Sequence, residues 1–170
     1  MNNAPTVVPI ASGKGGVGKS FIAANVGIAL ARLGHRVVLV DLDLGGSILH
    51  LYLGVRNRHP GIGDFLKNCG RDLGDYLVPT AAANLAFLPG DGRIPFLANI
   101  THVQKERLIA RIPELTADFI LMDLSTGTAF NTLDFFNTTP LGLLMTTPDP
   151  AAVMRLLAFL KAALLRRIDR

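Results

Sequence analysis

Residues 13–20 have the composition and order of a phosphate-binding loop and match the pattern G-x-x-x-x-G-K-[ST] in full. The segment comprises Gly13, Lys14, Gly15, Gly16, Val17, Gly18, Lys19 and Ser20. Its glycines allow successive backbone N–H groups to point at one anion, and the N-terminus of a following helix adds favourable potential. Lys19 would reach the β- and γ-phosphate oxygens, and the Ser20 hydroxyl would bind Mg²⁺. We include the next residue, Phe21, in the predicted nucleotide-binding set.

Three acidic residues stand at the ends of apolar runs. Asp41 follows the run VVLV, Asp43 comes two residues later, and Asp123 follows a second run. Because alternate residues of a strand point to opposite faces, Asp43 must lie in a loop to share a site with Asp41. Phosphoryl transfer needs charge neutralisation and positioning, which carboxylates and a metal ion supply. Because the chain also carries a complete phosphate-binding loop, we interpret these acids as groups that hold a metal ion or water, rather than as a solvated strand end or a turn acid.

The surrounding pattern alternates short apolar runs with helical segments. The runs predict strands at 6–11, 36–40, 85–88, 119–122 and 141–145, and helical spacing predicts helices at 19–33, 99–112 and 151–168. Apolar strands buried on both faces and separated by helices indicate an α/β fold with a mostly parallel sheet flanked by helices. Ligands of such sheets bind beyond the carboxyl ends of the strands, where the loop and the acidic residues are expected.

Composition indicates one domain of 170 residues, with 49% hydrophobic and 18% charged residues. This balance excludes a disordered chain, and no apolar run approaches the roughly 20 residues that span a bilayer. A single cysteine, Cys69, excludes an internal disulfide or a four-cysteine metal site within one chain. The four histidines lack the spacing of metal ligands, and we expect all of them at the surface or in loops: His35, His50, His59 and His102. We expect a cytoplasmic protein.

The net charge of +4 is confined to one terminal segment. Residues 155–170 hold five basic side chains and one acidic side chain, whereas the rest of the chain holds 12 of each sign. Affinity for nucleic acid comes mainly from neutralised phosphates. Nucleic acid is therefore not an expected partner of the domain body.

The extra lysine, Lys14, makes KGGVGKS resemble the deviant P-loop of the MinD/ParA-type ATPases. The segments VVLVDLDLGG, DFILMDLSTG and TTPDPAAV resemble the corresponding family segments in order and approximate spacing. DLGGS, LANITHVQKERLI and DLSTGTAFNTLDFF look closest to the flagellar-number regulators of the FlhG/FleN type. The resemblance covers about residues 6–165 and implies a P-loop NTPase fold with ATP and Mg²⁺ as cofactors.

The resemblance also implies roles for individual residues. Lys14 would cross an ATP-sandwiched dimer to contact phosphate in the partner's site, and Asp43 would orient the attacking water. Asp123 would hold Mg²⁺ through water, Gly127 would lie near the γ-phosphate, and Asp41 would support the metal shell. The predicted catalytic set is Lys14, Lys19 and Asp43, and the predicted metal set is Ser20, Asp41, Asp43 and Asp123.

The resulting hypothesis is an ATP-binding, slowly hydrolysing dimerisation switch that positions cellular machinery, such as flagella or the division site. It implies an ATP-dependent homodimer and a regulatory protein partner. Two alternatives stay open, namely a non-catalytic regulatory or interaction fragment and a plasmid or chromosome partition ATPase. An amide synthase of the cobyrinate type would need a substrate domain, and an iron–sulfur carrier would need a C-x-x-C pair that the chain lacks.

The last predicted helix carries its apolar residues on one side. They are Val153, Leu157, Leu160, Leu164 and Ile168. We expect this side to pack on the sheet, and the alternative is a helix in peripheral contact with the inner face of the cell membrane. Members of the resembled family continue past this point. We expect a truncated chain or short paralogue that lacks the C-terminal strands and helices, including the segment that lines the adenine pocket.

Overall fold

The computed structural model describes residues 4–44, 46–56, 58–68, 70–90 and 100–168. Its strands are β1 Thr6–Ser12, β2 Val37–Leu42, β3 Val78–Pro79, β4 Leu85–Leu88, β5 Phe119–Leu124 and β6 Leu143–Met145. Its helices are α1 Lys19–Arg32, α2 Leu49–Tyr52, α3 Ile62–Lys67, α4 His102–Arg111, α5 Phe130–Phe136 and α6 Pro150–Ile168. Short 3₁₀ turns occupy Leu73–Tyr76 and Ile112–Glu114. The sequence pattern did not predict β3, α2, α3 or α5.

The strands form one six-stranded sheet in the order β3-β4-β2-β5-β1-β6. Among the described residues, β3 alone pairs antiparallel with its neighbour, and the other four strand pairs are parallel. This arrangement confirms the predicted α/β fold with a mostly parallel sheet. The expectation that β6 is buried was wrong, because β6 is an edge strand and Leu143 is 38% exposed.

Alternating side chains of the strands fill two apolar layers, one on each face of the sheet. Val38 and Val40 pack in the layer that contains buried residues of α3 to α6, including Phe159. Val37 and Leu39 point the other way, into the layer formed with α1 and α2. A period of two residues in each strand therefore anchors helices on both faces and holds the loop ends of the strands in place.

The strands are longer at their carboxyl ends than the apolar runs suggested. β2 continues to Leu42 and β5 to Leu124, so Asp41 and Asp123 lie inside strands rather than after them. Helix α4 begins at His102 because the Thr101 hydroxyl accepts a hydrogen bond from the Gln104 N–H, an N-terminal cap. The predicted start of this helix at residue 99 lies outside the described residues.

Helix α6 packs on a different side from the one predicted. Of the predicted apolar residues, four are 40–79% exposed: Val153, Leu157, Leu164 and Ile168. The buried residues are instead Ala152, Phe159 and Ala163. The small side chains of Ala152 and Ala163 let α6 pack closely on the rest of the domain. The backbone of α6 also lies against the loop after β1, since a Cβ on Gly13 would lie 2.3 Å from the Arg155 carbonyl oxygen. Among the described residues, no helix has both the length and the apolar content needed to cross a membrane.

Candidate nucleotide-binding site

The strand register brings the predicted residues to one edge of the sheet. Asp41 of β2 lies opposite Asp123 of β5, and Ile10 of β1 is the other neighbour of Asp123. Since these three strands are parallel, their carboxyl ends meet, and the phosphate loop begins where β1 ends at Ser12. The central strand β5 therefore places its carboxylate between the loop and β2.

The loop between β1 and α1 has a backbone that glycine permits. Gly16 has a φ of 78° and Gly18 a φ of 87°, a left-handed conformation that other residues rarely adopt. Gly18 also precedes the first turn of α1, where no side chain caps the helix. The first N–H groups of a helix have no partner within the helix itself and can bind an anion. Lys19 and Ser20 are buried in the turn, whereas Lys14 is exposed.

Lys19 and Asp123 form a buried ion pair at the base of the loop. The Lys19 ammonium contacts one carboxylate oxygen of Asp123, and the two side chains are 5% and 1% exposed. Burial raises the pKa of Asp123, and the nearby Lys19 charge opposes that rise. Among the described groups, the second carboxylate oxygen of Asp123 is buried without a hydrogen-bond partner.

Asp41 fixes the segment that follows β2. One of its carboxylate oxygens accepts the Asp43 N–H at 3.1 Å, and the other accepts the Ser47 hydroxyl. Asp41 is fully buried, and burial raises its pKa to about 7 although the Ser47 hydrogen bond favours the charged form. Asp43 lies just beyond the strand, as the prediction that it occupies a loop required.

Asp43 is connected to the segment after β5. Its carboxylate accepts the Ser125 hydroxyl at 3.1 Å, and Ser125 also approaches the Leu42 carbonyl at 3.2 Å. Two residues on, Gly127 has a φ of 83° and donates its N–H to the Ser12 carbonyl at 3.0 Å. The ends of β1, β2 and β5 are therefore joined by hydrogen bonds at this edge of the sheet.

Lys14 points away from the base of the loop. Its ammonium lies 3.5 Å from a carboxylate oxygen of Asp149, and both side chains are more than 40% exposed. Asp149 also accepts the Thr147 hydroxyl and the Ala152 N–H at the start of α6. The two lysines of the loop thus differ, since Lys19 is buried at its base and Lys14 is accessible from solvent.

A cleft of about 310 Å³ opens over the loop. It is lined by residues 15–21 together with Ser12, Asp43, Ile48, Tyr52 and Thr126. Most of the predicted nucleotide-binding residues therefore line one cavity. Gly13 is buried behind it, against the backbone of α6.

The donor set fits a magnesium ion bound together with phosphate. The Ser20 hydroxyl and the carboxylates of Asp41, Asp43 and Asp123 are hard oxygen ligands, and Asp123 has an unpartnered buried oxygen. The described residues hold no group of three or more His, Cys, Asp and Glu side chains that could bind a metal by themselves. Mg²⁺ is ordinarily held by one or two carboxylates and by substrate phosphates, which agrees with this arrangement.

The histidines take no part in this site. His35, His59 and His102 are exposed, as predicted. His50 differs, because it lies half-buried in α2 and burial lowers its pKa. Cys69 lies outside the described residues.

Comparison with known proteins gives the family. The model of the CobQ/CobB/MinD/ParA nucleotide binding domain matches residues 8–166 of the chain. The chain belongs to this family. Two solved MinD structures share its fold. MinD of the Aquifex aeolicus MinC:MinD complex has a TM-score of 0.78 and 30% identity over 96% of this chain and 64% of that one. MinD of Pyrococcus horikoshii, complexed with Mg-ADP, has a TM-score of 0.72 and 27% identity over 94% and 66%.

Two relatives of this MinD/ParA-family chain are named for site determination. The flagellum site-determining protein YlxH of Helicobacter pylori is 31% identical over 161 residues, which are 91% of this chain and 52% of the relative. The septum site-determining protein MinD of Synechocystis is 33% identical over 153 residues, which are 86% and 55% of the two chains. This chain thus spans about half the length of these relatives.

Several residues of the site were missed by the sequence interpretation. Ser47 binds Asp41 near the end of β2, and Ser125 binds Asp43 just beyond that strand. Asp149 pairs with Lys14, and Ile48 and Tyr52 line the cleft. A signal existed for Ser125, because it follows Asp123 by two residues in the segment DLSTG. The others lie in segments whose position depends on the tertiary fold.

Proposed function

We propose that this chain is an ATP-binding and slowly hydrolysing dimerisation switch that positions cellular machinery, of the flagellum-placement or division-site type. The observation that carries the proposal is the buried contact between Lys19 and Asp123 at the base of a complete phosphate loop, whose cleft is also lined by Ser20. The site-determining names of the relatives support the positioning role. A cytoplasmic location with a regulatory protein partner belongs to the same proposal.

In this proposal the loop binds the phosphates of ATP. The backbone N–H groups of residues 15–20 surround the phosphate oxygens, and Lys19 exchanges its contact with Asp123 for the β- and γ-phosphates. Ser20 would hold Mg²⁺, with Asp123 and Asp41 in support. The ion would supply neutralisation of the charge on the transferring phosphoryl group. Lys14 would contact the phosphates bound by a second copy of the chain.

Asp43 would hold and orient the attacking water. Its position is fixed from both sides, because its own N–H binds Asp41 and its carboxylate binds Ser125. A carboxylate whose side-chain conformation is already fixed can orient water without a further loss of conformational entropy. The Gly127 N–H, which Ser12 accepts, belongs to the segment that would lie next to the γ-phosphate.

The first test is calorimetric titration of the 170-residue chain with a non-hydrolysable ATP analogue and Mg²⁺. Binding is expected, and it should be lost in Lys19→Ala and retained in the control Lys67→Ala, which removes an exposed lysine of α3. Thermal unfolding of each variant shows whether it is folded. Absence of binding by the unmodified chain would contradict the proposal.

Measurement of phosphate release from ATP distinguishes the proposed hydrolysing switch from the non-catalytic alternative. Slow hydrolysis of ATP is expected, and Asp43→Ala should reduce its rate by about 100-fold while leaving analogue affinity within about threefold. Analogue binding with no hydrolysis by the unmodified chain would instead favour a regulatory fragment. Equal rates in the unmodified chain and Asp43→Ala would remove the role of Asp43.

A further inference from the structure

Two aromatic side chains stand exposed at the cleft above the phosphate loop. Phe21 is 51% exposed and Tyr52 is 45% exposed, although both line the cavity that contains Lys19 and Asp43. Their rings meet edge to face, with centroids 5.9 Å apart and an interplanar angle of 73°. A phosphate group has no apolar surface that could pack against such rings. Binding of phosphates alone therefore does not explain why two aromatic side chains lie exposed at this cleft.

The order of residues along the loop places Phe21 next to the nucleoside end of the ligand. Lys19 reaches the β- and γ-phosphates in a loop of this type, and the loop N–H groups surround the α- and β-phosphates. Phe21 follows Ser20 directly in the first turn of α1. The sugar and base are attached to the α-phosphate, and aromatic rings stack on bases and pack against apolar sugar faces.

We propose that Phe21 contacts the nucleoside of the bound nucleotide and that Tyr52 is a positioning residue that holds the Phe21 ring. This inference rests on the proposed function, since it concerns the same site. The Phe21 ring carries no hydrogen-bonding group. It therefore strengthens the binding of any purine nucleotide without distinguishing adenine from guanine.

Calorimetry with two probes tests the role of Phe21. The probes are a non-hydrolysable ATP analogue and inorganic tripolyphosphate, each with Mg²⁺, because tripolyphosphate has the phosphates without the nucleoside. Phe21→Ala should weaken the ATP analogue about tenfold and leave tripolyphosphate affinity within about twofold. The matching GTP analogue should weaken by the same factor. Leu33→Ala is the control, because Leu33 is 75% exposed at the opposite end of α1.

Tyr52 is tested by its conservative variant. Tyr52→Leu should weaken the ATP analogue about threefold without changing tripolyphosphate affinity, because the Phe21 ring loses its partner. Tyr52→Phe should restore the affinity, since it keeps the ring. A purely structural role of Tyr52 would affect both probes together.

The remaining outcomes separate this inference from the proposed function. Equal weakening of both probes by Phe21→Ala would mean that the ring acts on the loop, and the inference would fall. Unchanged affinity for both probes would also overturn it, because the Phe21 ring would then contribute nothing to nucleotide binding. If the unmodified chain binds neither probe, the proposed function itself fails.

Discussion

Lys19 and Asp123 are both buried and in contact, so each charge is balanced mainly by the other. The attraction between two such charges is large in a protein interior, but so is the cost of removing them from water. The same lysine that would bind phosphate therefore also neutralises a carboxylate inside the sheet. At the scale of single residues, the ion pair that would open for phosphate binding in our proposal is also one that the folded chain needs.

We predict that Lys19→Ala lowers the free energy of unfolding by about 3 kcal/mol, because Asp123 is left buried without its counter-charge. The double variant Lys19→Ala/Asp123→Asn should recover at least half of that loss. Urea unfolding of the single and double variants measures both quantities. Strictly additive losses would show that the two side chains do not stabilise one another.

At the scale of elements, three helices are joined by one buried carboxylate. Asp134 of α5 is fully buried and contacts Lys105 of α4, which is 5% exposed. Arg166 of α6 donates to the same carboxylate at 2.9 and 3.2 Å. Since α5 follows the segment that holds Ser125 and Gly127, this network fixes α5 behind the candidate site.

The change Asp134→Ala should lower the free energy of unfolding by about 3–5 kcal/mol, because a buried lysine loses its counter-charge. The matched control is Glu114→Ala, which removes the exposed partner of Arg111 and should change stability by less than about 0.5 kcal/mol. Both values come from urea unfolding. Similar small losses for the two variants would contradict a structural role for the network.

The packing side of α6 can be tested by two substitutions in that helix. Phe159 is fully buried against the Phe136 ring, with centroids 5.1 Å apart, whereas Leu157 is 54% exposed. Phe159→Ala should cost about 3–5 kcal/mol of unfolding free energy, and Leu157→Ala less than about 1 kcal/mol. A larger loss for Leu157→Ala than for Phe159→Ala would instead support the packing side predicted from the sequence. Thermal and urea unfolding give the comparison.

At the scale of the whole molecule, the two loop lysines point to different partners. Lys19 is enclosed by its own chain, while Lys14 is exposed and its pair with Asp149 lies in solvent. Exposed ion pairs contribute little to stability, so Lys14 can leave Asp149 at small cost. This accessibility supports the proposal that Lys14 acts on a second copy of the chain.

Light scattering should show a dimer with ATP and Mg²⁺ and a monomer with ADP. Lys14→Ala is expected to reduce dimer formation and hydrolysis together, while the unfolding free energy changes by less than about 1 kcal/mol. The same size under both nucleotides would count against the switch. An unaltered dimer in Lys14→Ala would remove the action of this lysine on a second copy.

Much of the site was predictable because its signals are local. Residues 13–20 form a local motif for phosphate binding, and the apolar runs before Asp41 and Asp123 indicate strands of the sheet. That these two strands are neighbours was decided by the tertiary structure. The position of Asp43 outside the strand followed from the geometry of side chains in strands. The partners of these residues were not predictable in this way, since Ser125 lies 82 residues from Asp43 and Asp149 lies 135 residues from Lys14.

The sequence by itself determined the α/β class, the phosphate loop and the acidic strand ends, because a loop motif and a period of apolar residues are properties of neighbouring residues. Only the tertiary structure decided which side of α6 is buried, that β6 is an exposed edge, and that Lys19 pairs with Asp123. Five apolar residues on one side of α6 predicted the wrong packing face. Helix α6 instead packs through the side that carries Ala152, Phe159 and Ala163. Which side of a helix packs closely depends on the shape of the surface that it meets, and the sequence of the helix does not contain that shape.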